Sequence, residues 1–314
     1  MKYSLIITAA YEEKSISKTI NSIQDSNNSV LSNTELLIVS PDNKTLEKAE
    51  SVINEKLFAK VKYIKDAGQG KSAALNNGLR NVESKIVVLT DGDVYLGKNA
   101  IAYIVDPLDD NETVDFATGN KTRLLEGAET GATTAQVVSI DSKLTFFGYY
   151  SHVFCSAANK FREKKNKKNR FFPLSGYLLA FKLLPNFEFP IDLKAEDAFL
   201  AKYMTEFGYK LKYVPQAVVN VSFPKNLNDL INQKVRSLGG NVQVKKYFKK
   251  SSRNMFEDLT MFLFPLLYAK TPTEFLYSLL IYPLRFYLWF IIYKNHMFNN
   301  YELGPWKRIE SSKI

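Results

Sequence analysis

Along the first 120 residues, short apolar runs alternate with stretches in which apolar residues recur every three or four positions. Tyr3–Thr8 (YSLIIT), Glu35–Val39 (ELLIV), Val61–Ile64 and Ile86–Leu89 (IVVL) have the length and composition of buried strands. Between them, Ile16, Thr19, Ile20 and Ile23 repeat at helical spacing, Leu46–Leu57 reads as a second helix, and Ala73–Leu79 opens a third. Strands that alternate with helices predict an α/β fold with a largely parallel, doubly wound sheet. Ligands of such sheets bind beyond the carboxyl ends of the strands. Functional residues are therefore expected directly after Thr8, Val39, Ile64 and Leu89.

From about Val114 to Asn220 the pattern is less regular. It predicts a long helix from about Ala135, a strand at Tyr177–Phe181 and a helix at Glu196–Phe207, ended by Gly208 in the left-handed position that closes many helices. A polar helix, Asn226 to about Tyr247, follows Pro224. From Met255 the chain turns apolar, first over Phe256–Ala269 and then over the 19 residues Phe275–Tyr293, nearly enough to span a bilayer. Pro283 and Arg285 interrupt that second run near its middle. A central Arg costs about 2.5–3.5 kcal/mol on insertion scales, so a flat or re-entrant pair of helices is expected in place of a simple span. Lys245, Lys246, Lys249, Lys250 and Arg253 precede the segment, and Lys294, Lys307 and Arg308 follow it. Positive charge at both ends predicts attachment at the cytoplasmic face of the cell membrane. The alternative is that the same residues pack on the rest of the protein and leave it cytoplasmic. The opening MKYSLIITAAYEE has too short an apolar core for a signal peptide and reads as a first strand.

Composition narrows the chemistry. With 46% hydrophobic and 24% charged residues, the 314-residue chain is globular. A single Cys155 excludes an internal disulfide framework, and His152 and His296 lie too far apart in sequence to build a histidine zinc site, so any metal is expected on oxygen ligands. The net charge of +10 admits nucleic acid, anionic membrane or a phosphate-bearing substrate. The densest basic run, Lys160–Arg170, has no aromatic residue within Lys164–Arg170, which argues against a stacking platform and against a nucleic-acid partner.

Four motifs carry candidate chemistry. In Ile86–Asp93 (IVVLTDGD) a buried strand runs into Asp91 and Asp93, whose i, i+2 spacing can aim two carboxylates at one Mg²⁺ or Mn²⁺ ion; Asp-Gly-Asp also makes ordinary turns. In Asp66–Gly78 (DAGQGKSAALNNG) the first glycine of a P-loop would fall at Lys65, so the ATP-binding register fails. The glycine-rich turn before a helix still suits a phosphate, which Lys71 could neutralise. Glu196 and Asp197 head a helix, where acids serve either as caps or, after an irregular segment, as a general base. Gln233 and Arg236 lie on a polar helix, and the Arg either reaches a phosphate or faces solvent.

Taken in order over residues 3–240, these stretches resemble the family 2 glycosyltransferases with the GT-A fold. TAAYEE is similar to the family's opening P-A-Y-N-E, with Ala9 and Glu12 departing from it; GKSAALNNGL and SKIVVLTDGDV resemble its G-K-x-x-A-L-N-x-G and D-x-D strand. LSGYLLAFK, EDAFLAKYMTEFGYKLKYVPQAVV and QKVRSLGG resemble its acceptor-side strand, its E-D helix with the following G-Y-K strand, and its Q-x-x-R-W motif, with Ser237 in place of the tryptophan. Ser40-Pro41-Asp42 stands where the family has paired aspartates.

The resemblance implies a metal-dependent, inverting transfer of one sugar per encounter from a nucleoside-diphosphate sugar, UDP ahead of GDP, to a glycan or lipid-linked acceptor. Asp91 and Asp93 would bind nucleotide and metal, with Asp93 the direct ligand; Asp197 would be the base, with Glu196 next in line. Ala9, Tyr11, Glu12 and Asp42 would lie near the nucleotide base, and Gln233 and Arg236 would close over the diphosphate or acceptor. Residues 1–120 would form the nucleotide half and 121–250 the acceptor half of a GT-A domain, with 251–314 an apolar helical appendage. The rival readings are a sugar-nucleotide-binding protein of the same fold without turnover, and a nucleotidyltransferase, for which TAAYEEKS lacks the expected glycines.

Overall fold

The computed structural model describes residues 1–109, 129–248, 262–297 and 310–312. The sequence features at Val114, at Lys249, Lys250 and Arg253, at Phe256, and at Lys307 and Arg308 lie outside the described residues.

Strand β1 (Tyr3–Thr8), helices α1 (Ile16–Ser26) and α2 (Asn28–Leu31), β2 (Thr34–Ser40), α3 (Asn43–Glu50), β3 (Lys60–Lys65), α4 (Lys71–Arg80), β4 (Ile86–Asp91), the short β5 (Tyr95–Leu96) and α5 (Ala100–Val105) make up the first part of the chain. Then come β6 (Thr130–Ser139), α6 (Phe146–Asn166), β7 (Leu178–Lys182), α7 (Glu196–Glu206), β8 (Lys210–Val221) and α8 (Leu227–Tyr247). Among the described residues the strands form one eight-stranded sheet in the order β3-β2-β1-β4-β7-β6-β8-β5. Strands β1 to β4 are parallel, β7 runs antiparallel between β4 and β6, β6 and β8 are parallel, and β5 closes the edge antiparallel to β8. This is the expected α/β doubly wound mixed sheet.

Period-two alternation divides the core between the two sheet faces. Leu5, Ile7, Leu36, Ile38 and Val88 pack with Ile16, Ile20 and Ile23 of α1 and with α5. Ile6, Leu37, Val39, Val87 and Leu89 pack with Ala74, Leu75 and Leu79 of α4 and with α7. The helix-spaced isoleucines of α1 are thus its buried stripe.

Two expected elements differ. The second helix spans Asn43–Glu50, not Leu46–Leu57: Asp42 caps its start by accepting from Thr45 N at 2.9 Å, and Glu55–Leu57 is a separate 3₁₀ turn. The long helix does not begin near Ala135. Thr130–Ser139 (TGATTAQVVS) is a strand, as its Thr and Val residues favour, and the helix starts at Phe146 after the capping Thr145.

Helices α9 (Phe264–Tyr268) and α10 (Pro272–Met297) lie against α6 and α8. Phe264, Ile281 and Leu288 join Tyr149, Tyr150, Val153 and Leu230 in a third apolar cluster, and the Tyr149 hydroxyl meets Ser278 Oγ at 2.7 Å. Outside that cluster α10 exposes Phe275, Leu276, Phe286, Trp289 and Phe290, the last two phenylalanines at 68% and 65% for Phe286 and Phe290. Among the described residues, no helix is long and apolar enough to cross a membrane.

Candidate active site

Strands β1, β2 and β4 end level, because Thr8 lies opposite both Val39 and Asp91. The loops that follow them therefore meet at one edge of the sheet. After β1, Tyr11 takes a left-handed φ of 56°, and its N–H donates to Asp42 Oδ2 at 2.7 Å. Burial pushes the Asp42 carboxyl up, but hydrogen bonds from Thr45 and Tyr11 hold it below its usual range. Tyr11 itself is exposed, whereas Glu12 is buried, with its N–H on Thr45 Oγ1 at 2.8 Å and its carboxylate accepting from Ser15 Oγ at 3.2 Å. Tyr11 and Asp42 are thus joined at the open edge, while Glu12 anchors the loop from inside.

Gly92 packs on this loop. A Cβ there would stand 2.6 Å from Ala9 Cβ and 3.1 Å from Glu12 Oε2, so no larger residue fits between Asp91 and Asp93 without moving the Ala9–Glu12 turn. Asp91 closes β4 and Asp93 follows in the turn towards β5. Burial raises the Asp91 carboxyl; Lys71 opposes that rise and neighbouring Asp93 adds to it.

Lys71 is the junction. It opens α4 behind Gly68 and Gly70, whose φ angles of 68° and 107° suit glycine. Its Nζ lies 2.7 Å from Asp91 Oδ1 and 2.6 Å from Glu196 Oε1. Burial opposes the ammonium charge, but the two carboxylates raise it above its usual range. Burial likewise pushes Glu196 up, and Lys71 holds it below its usual range. Asp197, next in the chain, is pushed up to about 6 by burial and then by the Glu196 charge. Its Oδ1 accepts from Ala198 N at 2.7 Å and its Oδ2 from Gly176 N at 3.2 Å. A Cβ on Gly176 would lie 3.2 Å from Glu196 Oε1, so the turn before β7 lies directly on the acid pair.

Helix α4 also fixes where α7 begins. Ser72 Oγ donates to Leu193 O at 2.9 Å, and the Asn76 side chain bonds both N and O of Phe189 at 2.8 and 2.7 Å. The polar residues of GKSAALNNG thus hold the segment leading to Glu196, a role that spacing alone did not reveal. Helix α8 crosses this start: a Cβ on Gly240 would meet Ala195 Cβ at 2.7 Å. Arg236 faces Tyr177, Glu196, Asp91 and Asp93, while burial draws its guanidinium below its usual range. Gln233, three residues earlier on the same helical face, has a buried Oε1 without a hydrogen-bond partner. The structure thus brings Lys71, Asp91, Asp93, Glu196, Asp197 and Arg236 together, and places Ala9, Tyr11, Glu12 and Asp42 on the adjoining loops. Two neighbours escaped the sequence reading, Tyr177 beside Arg236 and Arg162 behind Asp197.

A family model described as glycosyltransferase like family 2 matches residues 2–240. The chain belongs to this family. It is 24% identical over 230 residues to a poly-beta-1,6-N-acetyl-D-glucosamine synthase of Staphylococcus epidermidis, covering 71% of this chain and 52% of that protein. The chain spans about half the length of the curated relatives it matches. Among solved structures it shares its fold with a mannosyltransferase of Pyrobaculum calidifontis, PcManGT, in complex with GDP-Man and Mn²⁺, at TM-score 0.58 and 20% identity, covering 88% of this chain and 72% of that one. A mycobacterial protein aligns at TM-score 0.50 and 15% identity, covering 77% of this chain and 74% of that one.

Among the described residues, no group of three His, Cys, Asp or Glu side chains could enclose an ion. Asp91 and Asp93 offer two carboxylates at an open strand end. That fits Mg²⁺ or Mn²⁺, hard ions commonly held by one or two carboxylates and completed by substrate phosphates and water.

Proposed function

We propose that this chain transfers a sugar from a nucleoside-diphosphate sugar to an acceptor hydroxyl with inversion at the anomeric carbon. The observation that carries the reading is the Lys71 bridge, which joins the strand-end Asp91 to Glu196 and so holds the half-buried Asp197, next to Glu196 in the chain, at the same cluster. Asp91 and Asp93 would hold Mg²⁺ or Mn²⁺, which when bound would offset the negative charge that builds on the leaving diphosphate. The PcManGT complex with GDP-Man and Mn²⁺ supports a divalent ion for this reaction.

The chain's own groups do the rest. Tyr11 and Asp42 border the nucleotide base. Lys71 and Arg236 add positive charge where the leaving diphosphate gains negative charge. Asp197 takes the proton of the acceptor hydroxyl; a value raised to about 6 leaves it ionised at neutral pH and more basic than an ordinary aspartate. Attack from the side opposite the leaving group inverts the sugar.

The acceptor we propose is a glycan or a lipid-linked glycan, met at the cytoplasmic face of the cell membrane. The exposed aromatic and aliphatic residues of α10 support attachment to that surface.

The test is a thermal-shift screen of UDP- and GDP-sugars with and without Mn²⁺, followed by transfer assays with the best donor. Selective, metal-dependent stabilisation by one donor is expected. Stabilisation without turnover on any glycan or water acceptor would leave the binding-protein alternative standing.

A further inference from the structure

Behind the acid pair lies a charged residue that the proposed reaction does not use. Arg162 sits on α6, 9% exposed, inside the protein. Its Nε donates to Pro173 O at 3.1 Å, while its Nη1 is buried with no hydrogen-bond partner. A buried guanidinium with an orphaned donor is costly, and well-packed apolar residues commonly replace such groups without loss of stability. The turn that Arg162 grips leads straight to the base. From Pro173 it runs through Ser175, whose N–H donates to Thr134 Oγ1 at 2.9 Å, to Gly176, whose N–H donates to Asp197 Oδ2 at 3.2 Å.

We propose that Arg162 is a positioning residue for the reaction: it fixes the Pro173–Gly176 turn against Asp197 and supplies, from the protein's interior, the positive charge that this carboxylate faces. The inference rests on the reading of Asp197 as the base. Asp197 faces Glu196 on its own helix, Lys71 from α4 and Arg162 from α6. Glu196 and Asp91 are both engaged by Lys71, and Arg236 of α8 faces Glu196. Arg162 in turn faces Asp197, Tyr213 of β8 and Cys155 of its own helix. Burial and Glu196 push the Asp197 carboxyl up, and the hydrogen bond from Ala198 N, then Lys71 and Arg162, limit the rise. Lys71 has two other carboxylates to serve, whereas Arg162 has no salt-bridge partner among the described residues. Removing its charge should make Asp197 harder to ionise, and keeping a charge there should preserve the balance.

The experiment follows the Asp197 carboxyl by carbon NMR of aspartate-labelled full-length protein, with D197N assigning the signal. Wild type, R162Q and R162K are titrated, and the pH dependence of nucleoside-diphosphate release is measured with the sugar nucleotide that stabilises the protein most. The carboxyl in R162Q should titrate above wild type, with the acid limb of turnover moving up alongside it and R162K returning towards wild type. Donor affinity should stay unchanged. A carboxyl that titrates alike in wild type and R162Q overturns the inference. A carboxyl that moves while the acid limb stays put overturns the assignment of Asp197 as base instead. If R162Q fails to fold, R162M replaces it; failure of both to fold counts against the inference, since Arg162 would then serve the fold and not the base.

Discussion

Asp197 carries opposite demands on stability and on chemistry. Its folded-state value of about 6 lies above the ordinary aspartate value of about 3.9, so the folded protein binds that proton more readily than the unfolded chain. Stability is therefore lost as pH rises through this window, and the ionised base works above it. Asp197→Asn should raise Tm at pH 7 by calorimetry, yet lower transfer by at least about a hundredfold while donor binding persists. Near-normal turnover in this variant would make Asp197 a helix cap. Wild-type turnover should fall as pH drops below about 6. At the strand end, Asp93→Ala should abolish the Mn²⁺-dependent part of nucleotide binding, read by thermal shift, and full transfer by wild type in EDTA would refute the metal assignment. Single-residue chemistry was legible where it fell at the end of a periodic element: Asp91 and Asp93 after IVVL, Glu196 and Asp197 at a helix head. Arg162 and Tyr177 were not, because each gains its role from a partner distant in sequence, and no local spacing encodes that neighbour.

At the scale of elements, β1, β2 and β4 were readable because parallel strands buried on both faces are continuous apolar runs, whereas β3, only partly buried, shows lysines alternating with apolar residues. The helix expected from about Ala135 gives way to the end of strand Thr130–Ser139 because that mixture of Thr, Ala, Gln and Val has no clean period; its pairing with β7 and β8 decides it. The crossing of α8 over the start of α7 makes a further prediction. A Cβ at Gly240 would lie 2.7 Å from Ala195 Cβ and 2.9 Å from Ala195 N, and backbone on one side cannot yield as a flexible side chain can. Gly240→Val should destabilise by about 1–3 kcal/mol, the usual range for overpacking. It should also weaken donor binding, because Arg236 rides on the displaced helix. Urea unfolding and donor titration check the two effects separately. A variant with normal stability and affinity would mean that the helices separate there at no cost.

For the whole molecule, the C-terminal helices hold one side on the protein and leave the other apolar. Vesicles containing phosphatidylglycerol should sediment the full-length protein. Replacing Phe286 and Phe290, both largely exposed, with serine should weaken that binding several-fold without lowering Tm. Protein that stays in the supernatant at low salt without detergent would exclude the attachment.

The antiparallel pairing of β4 with β7 has a consequence for how this protein is made. Strands β1 to β4 all lie within the first 91 residues, whereas β7 pairs Leu178 with Thr90 and Lys182 with Ile86. A chain leaving the ribosome can close its parallel strands early, while the segment that meets β4 is still being synthesised. Until that segment docks, Asp91 and Lys71 face no Glu196, and the open side of β4 is an unpaired edge of the kind that recruits other strands. Docking of β7 and α7 onto the first four strands thus completes the acid cluster and covers that edge.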